Sequence, residues 1–269
     1  MDPTSFRQAT RDILELVENS SGYPVYVEPN PEITTPSSMR MARGTQPFHL
    51  VSYRPTAGDQ PPDYQIAVQC GYILRHFAAP PEDRFDIAPS GKGQREIERM
   101  VDVTSPALRQ SGVSAGVAAV FRQQLHDGLV VQLRSIPVGL RIDEWLIQSY
   151  PELRPLQKEA VGAQLVEAAG ALQSDIRAIT PGRVYRASTG MNAAFAAFWA
   201  RFLDDPSITQ PYTKAGLDSL ARDLLHIYDD TGDEPSQDRE LVDAWAHCLG
   251  VAGWYDWVPY LAPTLDRIE

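Results

Sequence analysis

The chain has 269 residues, of which 24 are Lys or Arg and 35 are Asp or Glu, so its formal net charge at pH 7 is -11. A surface with this excess of negative charge does not neutralise phosphate as a whole, and we therefore expect no nucleic acid as the main partner. Hydrophobic residues make up 43% and charged residues 22% of the chain, values that are typical of folded globular proteins.

Two further features bear on where the protein is found and what it binds. No apolar run reaches the ~20 residues that cross a bilayer, and residues 1–17 lack the basic stretch and apolar core of a secretory signal. The only cysteines, Cys70 and Cys248, are too few for a structural zinc site. We expect a cytoplasmic protein that has no membrane association, no metal and no other cofactor.

The N-terminal part of the chain combines helix and strand patterns. Residues 4–22 place apolar side chains at helical spacing and end at a glycine, which predicts an amphipathic helix with Thr4 or Ser5 as its N-cap. Three runs with alternating or β-branched character follow and predict a small sheet of about three strands: YPVYVEPN, SSMRMARG and PFHLVSYRP. A central helix is then expected after Pro62, with Asp63 as its N-cap.

Helical patterns dominate from about residue 91 onward. The prolines before that point indicate an irregular link, Pro106 is expected at the first position of a helix, and Pro137 is expected to interrupt a later one. The predicted fold class is α+β, mostly α. An N-terminal helix, small sheet and central helix occupy residues 1–90, and a helical array in residues 91–269 packs against them.

The central helix contains the stretch AVQCGYILRHF, residues 67–77. Zinc metallopeptidases place two histidines four residues apart in an H-E-x-x-H motif, so that both imidazoles reach one metal while the glutamate activates its water. Together with Ala67, Gly71 and Leu74, the order helix, three strands, helix resembles the ImmA/IrrE-type metallopeptidases, whose signature helix reads roughly A-H-E-x-G-H-x-L. The resemblance covers roughly residues 1–80 and implies a zincin-like fold.

The chemically essential positions of that signature are replaced. Val68 stands in place of the first His, Gln69 in place of the Glu, and Tyr72 in place of the second His. Valine has no lone pair for a metal, glutamine takes no proton at neutral pH, and tyrosine would have to bind as a phenolate. The resemblance therefore implies a catalytically degenerate module, to which the family's helix-turn-helix partner is not carried over. The alternative interpretation is an ordinary buried helix.

Three other groups of residues are candidates for a site. Cys70 with His49 or His76 has the residue types of a thiol hydrolase, although a cysteine inside a helix is typical of inert core packing. A locally basic stretch either receives an anion or acidic partner surface, or is simply solvated: Arg75, Arg84, Lys92 and Arg95. The aromatic residues of GWYDWVPYLAP either anchor the end of the chain or contact a partner: Trp254, Tyr255, Trp257 and Tyr260.

From these patterns we predict a catalytically degenerate, metallopeptidase-like protein that binds a protein partner or acts as a regulatory component. The former substrate cleft would accept an extended segment that pairs with the sheet edge. Two alternatives stay open. One is a hydrolase that uses Cys70 or a spatial cluster of His and carboxylates. The other is a structural or assembly subunit that uses the C-terminal aromatic rings, and the sequence leaves the oligomeric state undefined.

Overall fold

The computed structural model describes residues 5–55, 62–104 and 115–263. It confirms the predicted fold class, since the protein is α+β and mostly α. The chain divides into two compact units, each built from several segments. The first unit takes its described residues from Met1–Asp86, Arg141–Val161 and Pro259–Glu269, and the second from Ile87–Leu140 and Gly162–Val258.

A three-stranded mixed sheet lies in the first unit, as predicted. Its strands are β1 (Val25–Pro29), β2 (Ser37–Arg40) and β3 (His49–Tyr53), in the spatial order β1-β3-β2. β1 is parallel to β3, whereas β2 is antiparallel to it. Every residue of β3 is buried, while β1 and β2 are more exposed because each has a neighbouring strand on one side only.

Two helices, α1 (Gln8–Ser21) and α2 (Asp63–Ala78), pack against each other in the first unit, and α2 also contacts β2 and β3. The positive φ of Gly22 closes the end of α1, as predicted. The expected caps are wrong where the structure describes them. Arg7 stands at the N-cap of α1, and Asp63 is the first helical residue of α2, where its carboxylate accepts a hydrogen bond from the Arg7 N–H at 2.9 Å.

The remaining elements are mainly helical, and most of them belong to the second unit. In chain order they are β4 (Phe85–Pro89), α3 (Gly91–Thr104), α4 (Ala115–Ser149), α5 (Arg154–Gly170), α6 (Ser174–Ile179), α7 (Gly182–Leu203), α8 (Gln210–Lys214), α9 (Asp218–Asp230), α10 (Asp238–Cys248) and β5 (Tyr255–Pro259). The core of the second unit surrounds α7, which packs against α9 and buries Phe198 and Trp199 almost completely. Within the described part of the chain, no helix has the length and apolar character to cross a membrane.

Two predictions for this part are corrected. Pro137 does not interrupt a helix, because α4 continues through it. Leu133 and Leu140 on either side are almost fully buried, and their packing outweighs the ~3 kcal/mol by which a proline disfavours a helix interior. The link before residue 91 is not wholly irregular either, since it contains β4, which pairs with β5. The predicted helix start at Pro106 lies outside the described residues.

Candidate functional site

The motif positions of the central helix lie beside the sheet. Val68, Gln69 and Tyr72 are half-buried on one face of α2, while the opposite face is fully buried. The Gln69 side-chain amide donates a hydrogen bond to the Ser37 hydroxyl at 3.0 Å, and that hydroxyl donates to the backbone carbonyl of Gln65 at 3.3 Å. Gln69 therefore connects α2 to the start of β2.

The outer edge of β2 presents backbone groups to its surroundings. The Arg54 N–H donates to the Pro36 carbonyl at 2.9 Å, which makes these two residues a hydrogen-bonded pair. Because such pairs alternate in an antiparallel ladder, the register directs the N–H and C=O groups of Ser37 and Met39 away from β3. Among the described residues no strand pairs with this edge, and the one hydrogen bond there is a local one from the Thr35 hydroxyl to the Ser37 carbonyl.

The opposite edge of the sheet, formed by β1, is blunted, which means that fewer of its outward backbone groups are available to pair with another strand. The His49 N–H donates to the Pro24 carbonyl at 2.8 Å. In this parallel register the backbone N–H and C=O groups of the even-numbered residues of β1 point toward β3, and those of the odd-numbered residues point outward. Of the outward groups, the Val25 N–H already donates to the Glu18 carboxylate at 2.8 Å, and Pro29 has no N–H. Proline and side-chain cover are devices that prevent a strand from pairing with another chain. An added strand therefore meets fewer obstacles at β2.

A buried polar network holds the beginning of α2 in place. The Tyr64 hydroxyl donates to the Asp143 carboxylate at 2.6 Å, and the Gln157 amide donates to the same carboxylate at 3.3 Å. Burial, together with the nearby Asp143 charge, raises the pKa of Tyr64 well above its ordinary value, so the phenol stays a donor. Sequence reasoning missed this network because Tyr64 and Asp143 are 79 residues apart and no local pattern links them.

Cys70 does not have the environment of a nucleophile. Its side chain has 0% exposure, and burial raises the pKa of the thiol to about 12. Within the described residues Cys70 forms no hydrogen bond to His49 or His76. The thiol therefore packs as a small hydrophobic group, as expected for a cysteine inside a helix.

The two histidines belong to an aromatic cluster. The Ala42 N–H donates to His49 Nδ1 at 3.1 Å, so the proton of the neutral ring is on Nε2, which donates to the Ser21 hydroxyl at 3.0 Å. His49 and His76 both contact the Phe77 ring edge-on, at centroid distances of 5.2 and 5.4 Å. In the part of the chain that the structure describes, no group of three or more His, Cys, Asp or Glu residues is arranged to hold a metal.

The four candidate basic residues do not form one patch within either unit. Arg75 and Arg84 belong to the first unit, whereas Lys92 and Arg95 belong to the second. The Arg84 guanidinium donates to two backbone carbonyls near the end of α2, at 2.9 and 2.8 Å, and stacks over the Phe77 ring. Its hydrogen bonds therefore serve the helix terminus, and an anion-binding role for the four residues stays a prediction.

The C-terminal aromatic residues are mainly anchors. Trp254 and Tyr255 are 2% and 7% exposed, so these two rings are not a partner surface. The Trp254 indole donates to the Glu96 carboxylate at 3.2 Å, and its backbone carbonyl accepts from the Ser90 N–H at 3.0 Å. The Trp257 indole donates to Asp243 at 2.8 Å. A contribution of Trp257 to partner binding stays a prediction.

Tyr260 completes the aromatic cluster of the first unit. Its ring contacts His76 and Phe77 edge-on, at centroid distances of 4.7 and 5.6 Å, and its hydroxyl donates to the Ala42 carbonyl. Burial raises the pKa of Tyr260 to about 12. The half-buried ring thus ties the last described segment of the chain to the strand region. A partner contact by Tyr260 stays a prediction.

Comparison of the chain with protein-family models, with curated proteins and with solved structures found no match.

Proposed function

We propose that the first unit binds an extended segment of a partner protein, which pairs with the outer edge of β2 beside the Gln69 face of α2. The observation that carries this proposal is the difference between the two edges of the sheet. β1 is blunted by Glu18 and Pro29, whereas Ser37 and Met39 on β2 direct backbone groups outward. Addition of a strand to an exposed edge is a common mode of peptide recognition.

The strength of such binding follows from the groups available. The N–H of Ser37 and both backbone groups of Met39 have no hydrogen-bond partner among the described residues. Each backbone hydrogen bond contributes about 0.5–1.5 kcal/mol net, so three such bonds need side-chain contacts in addition to reach micromolar affinity. Val68 and Tyr72 are half-buried on the adjacent helix face and offer apolar surface for those contacts.

We further propose that the first unit is a catalytically degenerate, zincin-like module that binds without hydrolysing. Support comes from the order of elements and from the residues at the motif positions, where no zinc ligand or general base stands. The Gln69 amide is already occupied by Ser37. On this interpretation, the position of the former base has become a fixed part of the wall beside β2.

A random peptide library displayed on phage and selected on the full chain tests the proposal. Enriched peptides are synthesised and titrated onto the wild type, Met39→Pro and Val27→Pro. Proline at either position removes an outward N–H from an edge strand, but only Met39 lies on β2.

We expect Met39→Pro to weaken binding at least about ten-fold, which corresponds to ~1.4 kcal/mol, and Val27→Pro to change it less than about two-fold. Equal losses in both variants, or no enriched peptide, would contradict the proposal.

A second experiment changes the peptide and leaves the protein as the wild type, so its result does not depend on whether Met39→Pro folds. The backbone nitrogens of one enriched peptide are methylated one at a time. A peptide that adds to β2 directs alternate N–H groups at the strand, so binding should be lost at every second position and retained at those between. A uniform effect along the peptide would show that it does not bind as an added strand.

A further inference from the structure

The second unit contains a cleft that the proposed function does not use. It lies between α4, the junction of α5 with α6, and α7, and its volume is about 350 Å³. This volume is at the lower end of the ~300–1,000 Å³ that is typical of pockets for small molecules. All of its described lining residues belong to the second unit, so the cleft is built within one compact body.

The cleft has no charged lining side chain among the described residues, although charged residues make up 22% of the chain. Its lining includes the apolar residues Leu125, Leu129, Ile176 and Val184. The guanidinium of Arg177 stacks against the Tyr185 ring, 5.8 Å from its centroid, without lining the cleft. A charged ligand here would lose hydration without gaining an ionic partner among the lining side chains, which is unfavourable.

Neutral polar groups supply hydrogen-bonding capacity along the same cleft. The Gln132 amide nitrogen donates to the Asn192 side-chain oxygen at 3.4 Å, which leaves the Gln132 oxygen as an acceptor. The side chains of Gln124 and Ser188 also line the cleft and form no hydrogen bond within the described part of the chain. Donors and acceptors are therefore both present beside the apolar surface.

We propose that this cleft binds an uncharged small molecule that combines an apolar ring or branched chain with one neutral hydrogen-bonding group, such as a carboxamide or an alcohol. The apolar part packs against the leucine, isoleucine and valine side chains. The polar part bonds to Gln124, Gln132 or Ser188. Neutral polar groups that converge beside an apolar surface are typical of small-molecule sites.

The test uses three compounds that share a ring and differ in charge: benzamide, benzoate and benzamidine. Binding of each to the full chain is measured by ligand-observed NMR titration. A Cβ at Gly128, which lines the cleft, meets nothing within 4 Å, and the same holds for Gly162 in α5, which does not line it. Gly128→Leu therefore adds an apolar side chain at the cleft wall without a clash of its Cβ. Gly162→Leu is the matched control, since leucine favours a helix more than glycine does at both positions.

We expect benzamide to bind the wild type at least about ten-fold more tightly than benzoate or benzamidine, because only the charged compounds lose hydration without compensation. Gly128→Leu should weaken benzamide binding at least about ten-fold, and Gly162→Leu less than about two-fold. The proposal is overturned if benzamide does not bind, if all three compounds bind equally, or if Gly128→Leu binds benzamide as the wild type does. It is also overturned if Gly128→Leu lowers the mass measured by light scattering, since a second copy of the chain would then cover the cleft.

Discussion

At the scale of single residues, His49 is held neutral by its surroundings. Its side chain has 0% exposure, and Nδ1 accepts a hydrogen bond from the Ala42 N–H, which a protonated ring cannot do. Burial and, to a smaller extent, the charge of nearby His76 lower the pKa of His49 to about 4. An unfolded histidine has a pKa near 6.5, so the folded and unfolded states bind different numbers of protons between these two values.

This difference predicts how stability depends on pH. Between pH ~6.5 and ~4 the unfolded state binds a proton at His49 and the folded state does not, so stability falls as the pH is lowered through this window. We expect His49→Asn to be less stable at pH 7 and to lose less stability than the wild type on acidification. Chemical unfolding at several pH values measures both effects.

The matched control for this prediction is His226→Asn, which changes a histidine that lies exposed on α9. His226 forms an exposed ion pair with Asp230, and surface changes usually alter stability by less than about 0.5 kcal/mol, so this variant should be nearly as stable as the wild type at pH 7. If His49→Asn and the wild type lose stability in parallel over this window, His49 is not the group responsible for the dependence.

At the scale of elements, the approach of α2 to α4 accounts for Gly71. A Cβ at this position would overlap the side chain of Ile142, which comes from the end of α4 and is 1% exposed. Gly71 therefore has a packing role in this protein. The backbone at Gly71 is ordinary α-helix.

We expect Gly71→Ala to lower the free energy of unfolding by about 1–3 kcal/mol, the range for overpacking a core. The gain in helix propensity, up to ~1 kcal/mol, offsets only part of this loss. Gly162→Ala is the control, because a Cβ there meets nothing within 4 Å, and it should stabilise the protein. Urea unfolding distinguishes the two signs. A stabilising Gly71→Ala would mean that Ile142 does not approach α2 as closely as described.

The elements that the sequence predicted correctly are those with a strong local pattern. α1, the first three strands and α2 all have the expected order, since periodicity and turn residues lie within each segment. β4 and β5 were missed because they pair with each other from positions far apart along the chain, which no local pattern indicates. The sequence also did not predict which backbone groups of β2 point outward, because this depends on the strand register, and the register is set by the pairing partners rather than by local sequence.

At the scale of the whole molecule, the first unit depends on distant segments of the chain. Besides residues that precede the predicted boundary at residue 90, this unit contains Arg141–Val161 and the segment that begins at Pro259. Ile142 packs against Gly71, and Asp143 and Gln157 complete the hydrogen bonds around Tyr64. The first unit therefore needs these later segments to complete its packing and its buried hydrogen bonds.

We expect a fragment of residues 1–90 to lack a cooperative unfolding transition, although it contains all of the sheet of the first unit. Without Asp143 and Gln157 the buried Tyr64 hydroxyl has no acceptor, and such a loss is worth about 1–3 kcal/mol out of a total stability of 5–15 kcal/mol. Loss of the Ile142 and Tyr260 packing adds to this. Circular dichroism during thermal unfolding measures the outcome, and a sharp transition in the fragment would show that the later segments are dispensable.

The most direct test of strand addition at β2 is amide hydrogen exchange by NMR, with and without an enriched peptide. The outward N–H groups of Ser37 and Met39 have no partner among the described residues, so they should exchange quickly in the free protein. Our account predicts that a saturating peptide slows exchange at these two amides and leaves Val27 on β1 unchanged. Unchanged exchange at Ser37 and Met39, with protection elsewhere, would show that peptides bind at another surface.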